Sequence, residues 1–139
     1  MLGSLADHFT PKRAAHPTAR HRLTFQSYNH SIEITKKGTV VLTYYDHRNN
    51  VLGDGVATTD VWLRHSHDGG ATWQPEQHLH GPFDMDEAPV SYFAPGDPRG
   101  YFLGDYMGLE TITGDNVINF FASTIADGAD IRSIRADHP

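Results

Sequence analysis

The most constraining feature of this sequence is an eight-residue segment, residues 66–73 (SHDGGATW), which fits the pattern S-x-D-x-G-x-T-W. An aspartate at this spacing can accept hydrogen bonds from backbone N–H groups inside a turn. Glycine permits positive φ, and tryptophan offers a large ring that can anchor neighbouring strands. The segment therefore predicts a hairpin turn with structural roles for Ser66, Asp68, Gly70, Thr72 and Trp73.

The sequence on both sides of this turn has the patterns of β-strands. Half-buried strands alternate apolar and polar residues, and strands in general are rich in β-branched and aromatic residues. The predicted strands are residues 31–35, 39–45, 60–66 and 72–79. Short turns at 36–38 and 67–70, separated by a long loop at 49–59, predict a four-stranded antiparallel meander. No segment sustains a helical period, so we predict an all-β chain.

A weak internal repeat follows the first meander. Aligning Gly38 with Gly114, an offset of 76 positions, places Val41 on Val117 and Tyr45 on Phe121. The alignment predicts further strands at residues 101–112, 116–125 and 130–136. The intervening residues 81–100 are predicted to form an irregular acidic loop. Four-stranded units repeated in tandem are typical of β-propellers.

Composition excludes several classes of protein. The 139 residues carry a net charge of −6, which disfavours binding to nucleic-acid phosphates. The chain has no cysteine, so it has neither disulfides nor thiolate metal sites. No apolar stretch approaches the roughly 20 residues of a membrane-spanning helix. Residues 1–22 are rich in Pro, Ala and basic residues and are predicted to be a loop or disordered leader before the domain at 23–139.

The turn segment resembles the Asp box, or bacterial neuraminidase repeat, and the likeness extends from about residue 26 to the C-terminus. It is carried by the turn together with residues 38–49 (GTVVLTYYDHRN), 59–63 (TDVWL), 83–84, 88–89 and 100–109 (GYFLGDYMGL). These resemble bacterial exo-α-sialidase-like proteins. The resemblance implies about one and a half four-stranded blades of a six-bladed β-propeller, with blade one at about 26–80 and an incomplete blade two at about 100–139.

The resemblance also implies a function. It indicates a glycoside hydrolase that acts on a glycan or sialoglycoconjugate without a cofactor, in a secreted or extracellular parent protein. No signal peptide is recognisable in this chain, so the parent's signal would lie outside it. The arginine motif that opens such proteins, Phe-Arg-Ile-Pro, does not occur here. Only the Asp-box positions are therefore transferable residue by residue.

A meander places alternate connections at opposite ends of its sheet, so the loops at 49–59 and 81–100 should share one end. Long loops on a rigid scaffold are where binding groups concentrate. The candidate catalytic residues at this end are Asp46, Arg48, Asp105 and Tyr106, and the candidate substrate-binding residues are Asp86 and Glu87. The structural alternative is an Asp46–Arg48 ion pair, an Asp105 that caps a strand, and a solvated acidic loop.

Histidine occurs ten times, and the pairs His65/His67 and His78/His80 are each two residues apart, a spacing that places both members of a pair on one face of a strand. A zinc site needs three or four converging ligands. Since no third ligand follows at close spacing, we predict no metal site.

Three hypotheses follow for the chain. It is a piece of a sialidase-like enzyme that is inactive alone, a non-catalytic propeller module that binds glycans or proteins, or a fragment that does not fold by itself. Because propeller units bury their faces against neighbours, we expect poor solubility or self-association through exposed blade edges.

Overall fold

The computed structural model describes residues 26–126 and 128–137, so the predicted leader over residues 1–22 lies outside it. The described residues form β-strands and two single-turn 3-10 helices, Met85–Glu87 and Thr113–Asp115, and no α-helix. The strands are β1 (Ser27–Ile34), β2 (Val40–Asp46), β3 (Thr58–Ser66), β4 (Gln77–Asp84), β5 (Val90–Ala94), β6 (Asp97–Tyr101), β7 (Gly108–Thr111), β8 (Val117–Ile125) and β9 (Gly128–Ala136). The prediction of an all-β fold is confirmed.

The first sheet is an antiparallel meander of β1, β2, β3 and β4 in chain order. The β-branched and aromatic run of β2 pairs with β3 without interruption, from Val40 opposite Ser66 to Asp46 opposite Asp60. This register places the short turns at 36–38 and 67–70 at one end of the sheet and the long loops at the other. The predicted four-stranded meander is therefore confirmed.

The fourth strand differs from the prediction of residues 72–79, because β4 is Gln77–Asp84. It starts later since Thr72 hydrogen-bonds to Asp68 within the preceding turn and the Gln74 backbone N–H donates to the His65 carbonyl. It continues further because Gly81, with a φ of 120°, comes very close to β3. A Cβ at this position would lie 2.6 Å from Asp60 Oδ1, so only glycine fits.

The prediction of an irregular loop at residues 81–100 is wrong. That segment contains the end of β4, the 3-10 turn Met85–Glu87, and a two-stranded antiparallel hairpin of β5 and β6. Pro95 and Gly96 connect the two hairpin strands, and Gly96 has a φ of 82°. A proline followed by a glycine with positive φ suits a tight turn, so this hairpin has a local cause in the sequence.

The second sheet is an antiparallel meander of β7, β8 and β9. The strand predicted at residues 101–112 is much shorter, because Tyr101 closes β6 and residues 102–107 are irregular. Gly104, with a φ of 107°, redirects the chain within this segment. The strand prediction is therefore wrong for Asp105 and Tyr106, which lie in the irregular segment before β7.

The core lies between the two sheets, which pack face to face. One apolar cluster contains Val41 and Leu63 of the first sheet with Val117 and Ala136 of the second, and all four are nearly inaccessible to water. The other cluster joins Tyr45, Val61, Met107 and Phe121. Burial of each large side chain contributes on the order of 2 kcal/mol to folding. Polar contacts within this core include those from Tyr45 Oη to the Ala122 carbonyl at 2.7 Å and from Thr43 Oγ1 to Asn119 Oδ1 at 3.4 Å.

The two meanders are structural repeats, but the repeat differs by one residue from the predicted offset of 76. Ile34 pairs with Val40 in the first sheet as Thr111 pairs with Val117 in the second, which sets the offset at 77. A shift of one residue in a strand exchanges its two faces. Phe121 therefore matches Tyr44, and the alignment of Phe121 with Tyr45 is corrected.

This offset defines how the sheets stack. The first sheet turns Val41, Thr43 and Tyr45 of β2 inward, and leaves Leu42 and Tyr44 on its open face. The second sheet turns Val117, Asn119 and Phe121 inward, which are the equivalents of Val40, Leu42 and Tyr44. The front of one unit thus packs on the back of the other. Their first strands lie side by side, joined by a hydrogen bond of 2.8 Å from Thr111 Oγ1 to Glu33 Oε1.

Candidate functional site

The 66–73 turn is closed by the side chain of Asp68. Its carboxylate accepts hydrogen bonds from Ser66 Oγ at 2.7 Å, from the Thr72 backbone N–H at 2.8 Å and from Thr72 Oγ1 at 2.6 Å. Ser66 Oγ in turn accepts the backbone N–H of Gly70 at 2.8 Å. The Thr72 hydroxyl, followed by its backbone N–H, lowers the pKa of Asp68 to about 2. Asp68 thus serves as an ionised acceptor that holds the turn.

Trp73 lies half-buried beside this turn. A Cβ at Gly70 would lie 3.7 Å from the Trp73 ring, and the Arg64 guanidinium carbon lies 5.7 Å from the ring centre. At the same end of the sheet, Thr39 Oγ1 lies 3.2 Å from His67 Nδ1 and joins the two short turns. The turn is therefore separated by the length of the strands from the predicted catalytic residues.

Asp46 and Arg48 come together at the opposite end of the first sheet. Arg48 Nε donates to Asp46 Oδ2 at 2.6 Å, and its two terminal nitrogens donate to Glu76 Oε2 and to Tyr44 Oη. Its guanidinium carbon also lies 4.0 Å from the centre of the Trp62 ring. Asp46 is buried, whereas Arg48 is partly exposed. Each guanidinium nitrogen therefore has a protein acceptor, as in the structural alternative for this pair.

Glu76 completes this cluster and was not among the candidate residues. Tyr44 Oη donates to Glu76 Oε1 at 2.5 Å. The hydrogen bond from Arg48 lowers the pKa of Glu76 to about 2, while burial, followed by the bond to Glu76, raises the pKa of Tyr44 to about 12. The phenol is thus a proton-bearing donor at neutral pH. Sequence spacing cannot connect residues 48 and 76, because the pairing of three strands brings them together.

A surface cleft of about 660 Å³ lies over this cluster, on the open face of the first sheet. Its floor and walls mix aromatic, aliphatic and charged side chains. The lining residues are Ser27, Tyr28, His30, Leu42, Tyr44, Asp46, Arg48, Arg64 and Glu76.

A second cleft of about 350 Å³ lies where β1 meets the irregular segment 102–107. Tyr28 borders both clefts, and burial raises the pKa of its phenol. Asn29 Nδ2 donates to the Gly104 carbonyl at 3.2 Å and fixes the segment against β1. Asp105 lines this cleft, and Tyr106 beside it is 89% exposed. The four candidate catalytic residues are thus divided between two adjoining regions.

Asp86 and Glu87 lie on the exposed 3-10 turn after β4. Asp84 Oδ1 accepts the Asp86 backbone N–H at 3.0 Å and the Ala57 backbone N–H at 2.9 Å, which fixes the turn to the long loop. Met85 of this turn lines the second cleft, whereas Asp86 and Glu87 are exposed and do not line it.

A second missed acid, Asp60, is fully buried at this end of the sheet. Its carboxylate accepts Asn49 Nδ2 at 2.8 Å and lies 2.7 Å from His78 Nε2. This arrangement ties the 49–59 loop to β3 and β4. The sequence offered one signal for Asp60, an acid directly before the apolar run at residues 61–63 in a predicted strand, because an acid that is buried there requires hydrogen-bonding partners.

The histidine pairs differ in their arrangement. The rings of His65 and His67 are 5.0 Å apart, whereas His78 and His80 lie on opposite faces of the sheet. The suggestion that the second pair shares a face is wrong, because the β3–β4 pairing is irregular at Val61. His78 packs on Trp62, and His80 packs on Phe121 in the core.

Over residues 26–126 and 128–137, no group of three or more His, Asp or Glu side chains could hold a metal ion. The same residues include no helix with the length and apolar character needed to cross a membrane.

No family model, curated protein or solved structure matches this chain.

Proposed function

We propose that this chain forms two neighbouring units of a sialidase-like β-propeller, and that the end of the sheets with the two clefts belongs to its glycan-directed face. The observation that carries the proposal is the front-to-back stacking of two equivalent meanders with their first strands side by side. Propeller blades are repeated units that pack around an axis in this manner. The hydrogen-bonded 66–73 turn at the opposite end supports the same assignment.

The chemical part of the proposal is a glycoside hydrolase that acts on sialoglycoconjugates. Glycosidases place two carboxyl or equivalent groups beside the scissile bond. Asp105 is the acid of the second cleft and is exposed to an incoming sugar, and Tyr28 offers an aromatic ring at the same place. Asp46 and Glu76 would hold Arg48 in one orientation at the neighbouring cleft, where it would face the acidic sugar.

The chain alone is proposed to be inactive. Two units form only part of a ring, so the groups that would complete a central pocket must come from other units of an extracellular parent protein. In this proposal the chain contributes contacts to the substrate, and the remaining units of the parent contribute the other catalytic groups.

A second candidate function is a propeller module that binds glycans or proteins without cleaving them. The observation in its favour is the closed ion network, in which all three Arg48 nitrogens donate to Asp46, Glu76 and Tyr44. A substrate carboxylate would have to displace one of these partners.

A fluorogenic sialoside distinguishes the two functions in the parent protein. Asp105→Asn should lower kcat/KM by about 100-fold or more if Asp105 takes part in proton transfer. Asp137→Asn, an exposed acid at the opposite end of the second sheet, is the matched control and should leave kcat/KM unchanged. Sialoside binding without turnover in the unmodified parent would establish the binding module, and equal activity of the two variants would exclude the proposed role of Asp105.

A further inference from the structure

Among the residues that the structure describes, each sheet leaves one face open, and each open face carries exposed apolar side chains. On the first sheet, Ile32 and Ile34 are 60% and 65% exposed beside Leu42. On the second sheet, Phe120 and Ile131 are 43% and 76% exposed. Clusters of this kind on neighbouring strands mark surfaces that bind another protein.

The two open faces are related to each other by the internal repeat. The open face of the first sheet (Ile32, Ile34, Val40, Leu42, Tyr44) is equivalent to the inward face of the second sheet, since Leu42 corresponds to Asn119 and Tyr44 to Phe121. The open face of the second sheet (Ile118, Phe120, Ala122, Ile131) is likewise equivalent to the inward face of the first. The two open faces therefore occupy the same positions in their sheets as the two faces that pack together inside the chain.

We propose that the chain associates head to tail with a second copy of itself, the open face of the first sheet packing on the open face of the second sheet of its partner. The internal interface is heterologous, because each sheet contributes a different face. A repeated heterologous contact gives head-to-tail assemblies, in contrast to the self-complementary contact of a two-fold dimer. The first cleft opens on the first sheet's open face, so self-association would cover it, and a sugar could reach Arg48 only in a chain whose first sheet is not covered. The proposal rests on the stacking of the sheets and not on glycoside cleavage, so a failed sialidase assay leaves it standing.

Two variants each block one face. Ile34→Lys places a charge on the open face of the first sheet, and Ile131→Lys does so on that of the second. Both positions are more than half exposed, so the folded chain can solvate the new charge. Leu52→Lys, at an 82% exposed loop position, is the matched control. If either strand variant loses its far-ultraviolet circular dichroism, Ile32→Lys or Phe120→Ser replaces it on the same face.

The test is light scattering after size-exclusion chromatography of the full chain over a concentration series. The unmodified chain and Leu52→Lys should rise above the mass of one chain, 15.5 kDa, while each face variant alone should stay at it. An equimolar mixture of the two face variants should form a species of twice that mass and nothing larger, because only one contact can form.

Three results would overturn the proposal. A monomeric unmodified chain would show that the faces do not associate. Association of either face variant alone would indicate a face that pairs with itself. A mixture that remains monomeric would show that the two faces are not complementary.

Discussion

Ser66 is the residue on which the hydrogen bonds of the 66–73 turn converge. Its side chain is fully buried, accepts the Gly70 backbone N–H and donates to Asp68. Removing the hydroxyl leaves the partly buried N–H of Gly70 without its acceptor, which costs about 2 kcal/mol. We expect Ser66→Ala to lower the free energy of unfolding by this amount in urea titrations. Ser133→Ala, at an exposed strand position, is the control, and equal midpoints for the two variants would contradict the structural role.

Glu76 should make the free energy of unfolding depend on pH in the acidic range. Its pKa is lowered from an ordinary 4.5 to about 2 by Arg48, so the unfolded chain takes up a proton at a higher pH than the folded chain. The stabilisation is therefore complete above pH about 4.5 and disappears as the pH falls towards about 2.

The matching experiment is urea unfolding across that pH range. Glu76→Gln should be less stable than the unmodified chain at neutral pH, and its stability should fall less steeply below pH about 4.5. Some slope remains in the variant, because Asp68 also has a pKa of about 2. Parallel curves for the two proteins would show that the Arg48–Glu76 pair adds nothing to stability.

At the scale of elements, Gly81 determines whether β4 can remain paired with β3. A Cβ there would approach Asp60 Oδ1 to 2.6 Å and the Thr59 carbonyl oxygen to 2.9 Å. Gly100 has a similar φ of 129°, but a Cβ there would meet no atom within 4 Å. Gly100→Ala therefore measures the backbone strain without a steric clash. We expect Gly81→Ala to be destabilised by about 2 kcal/mol more than Gly100→Ala. Equal losses in chemical denaturation would mean that the close approach is not restrictive.

At the scale of the whole molecule, the interface between the sheets should make them unfold together. Phe121 is 2% exposed in the core of the second sheet, and its neighbour Phe120 points to the open face. Phe121→Ala should cost about 3–5 kcal/mol, and Phe120→Ala in the monomeric state under 1 kcal/mol.

Both tryptophans, Trp62 and Trp73, belong to the first sheet or its turn, so their fluorescence reports on that sheet. Phe121→Ala should therefore lower the unfolding midpoint by the same amount whether unfolding is followed by tryptophan fluorescence or by circular dichroism. A fluorescence midpoint that does not move would show that the two sheets unfold independently.

Local patterns were sufficient for much of the first sheet. The β-branched run at 39–45 and the glycines at 38 and 69–70 act through neighbouring residues, so the strands and turns they predicted are present. The Pro95–Gly96 turn was also a local signal, and its hairpin could have been predicted. The start of β4 could not be predicted, because it depends on which backbone N–H and carbonyl groups already form hydrogen bonds in the preceding turn.

The sequence could not predict the features that depend on residues far apart in the chain. The Arg48–Glu76 pair arises from pairing across three strands, and the contact of Asp60 with His78 arises from the irregular pairing of β3 with β4, so no spacing along the chain encodes either. The repeat itself was visible, but similar residues occur at offsets of both 76 and 77. Only the hydrogen-bond register distinguishes the two, and because side chains alternate between faces, that one residue decides which face of each sheet is buried.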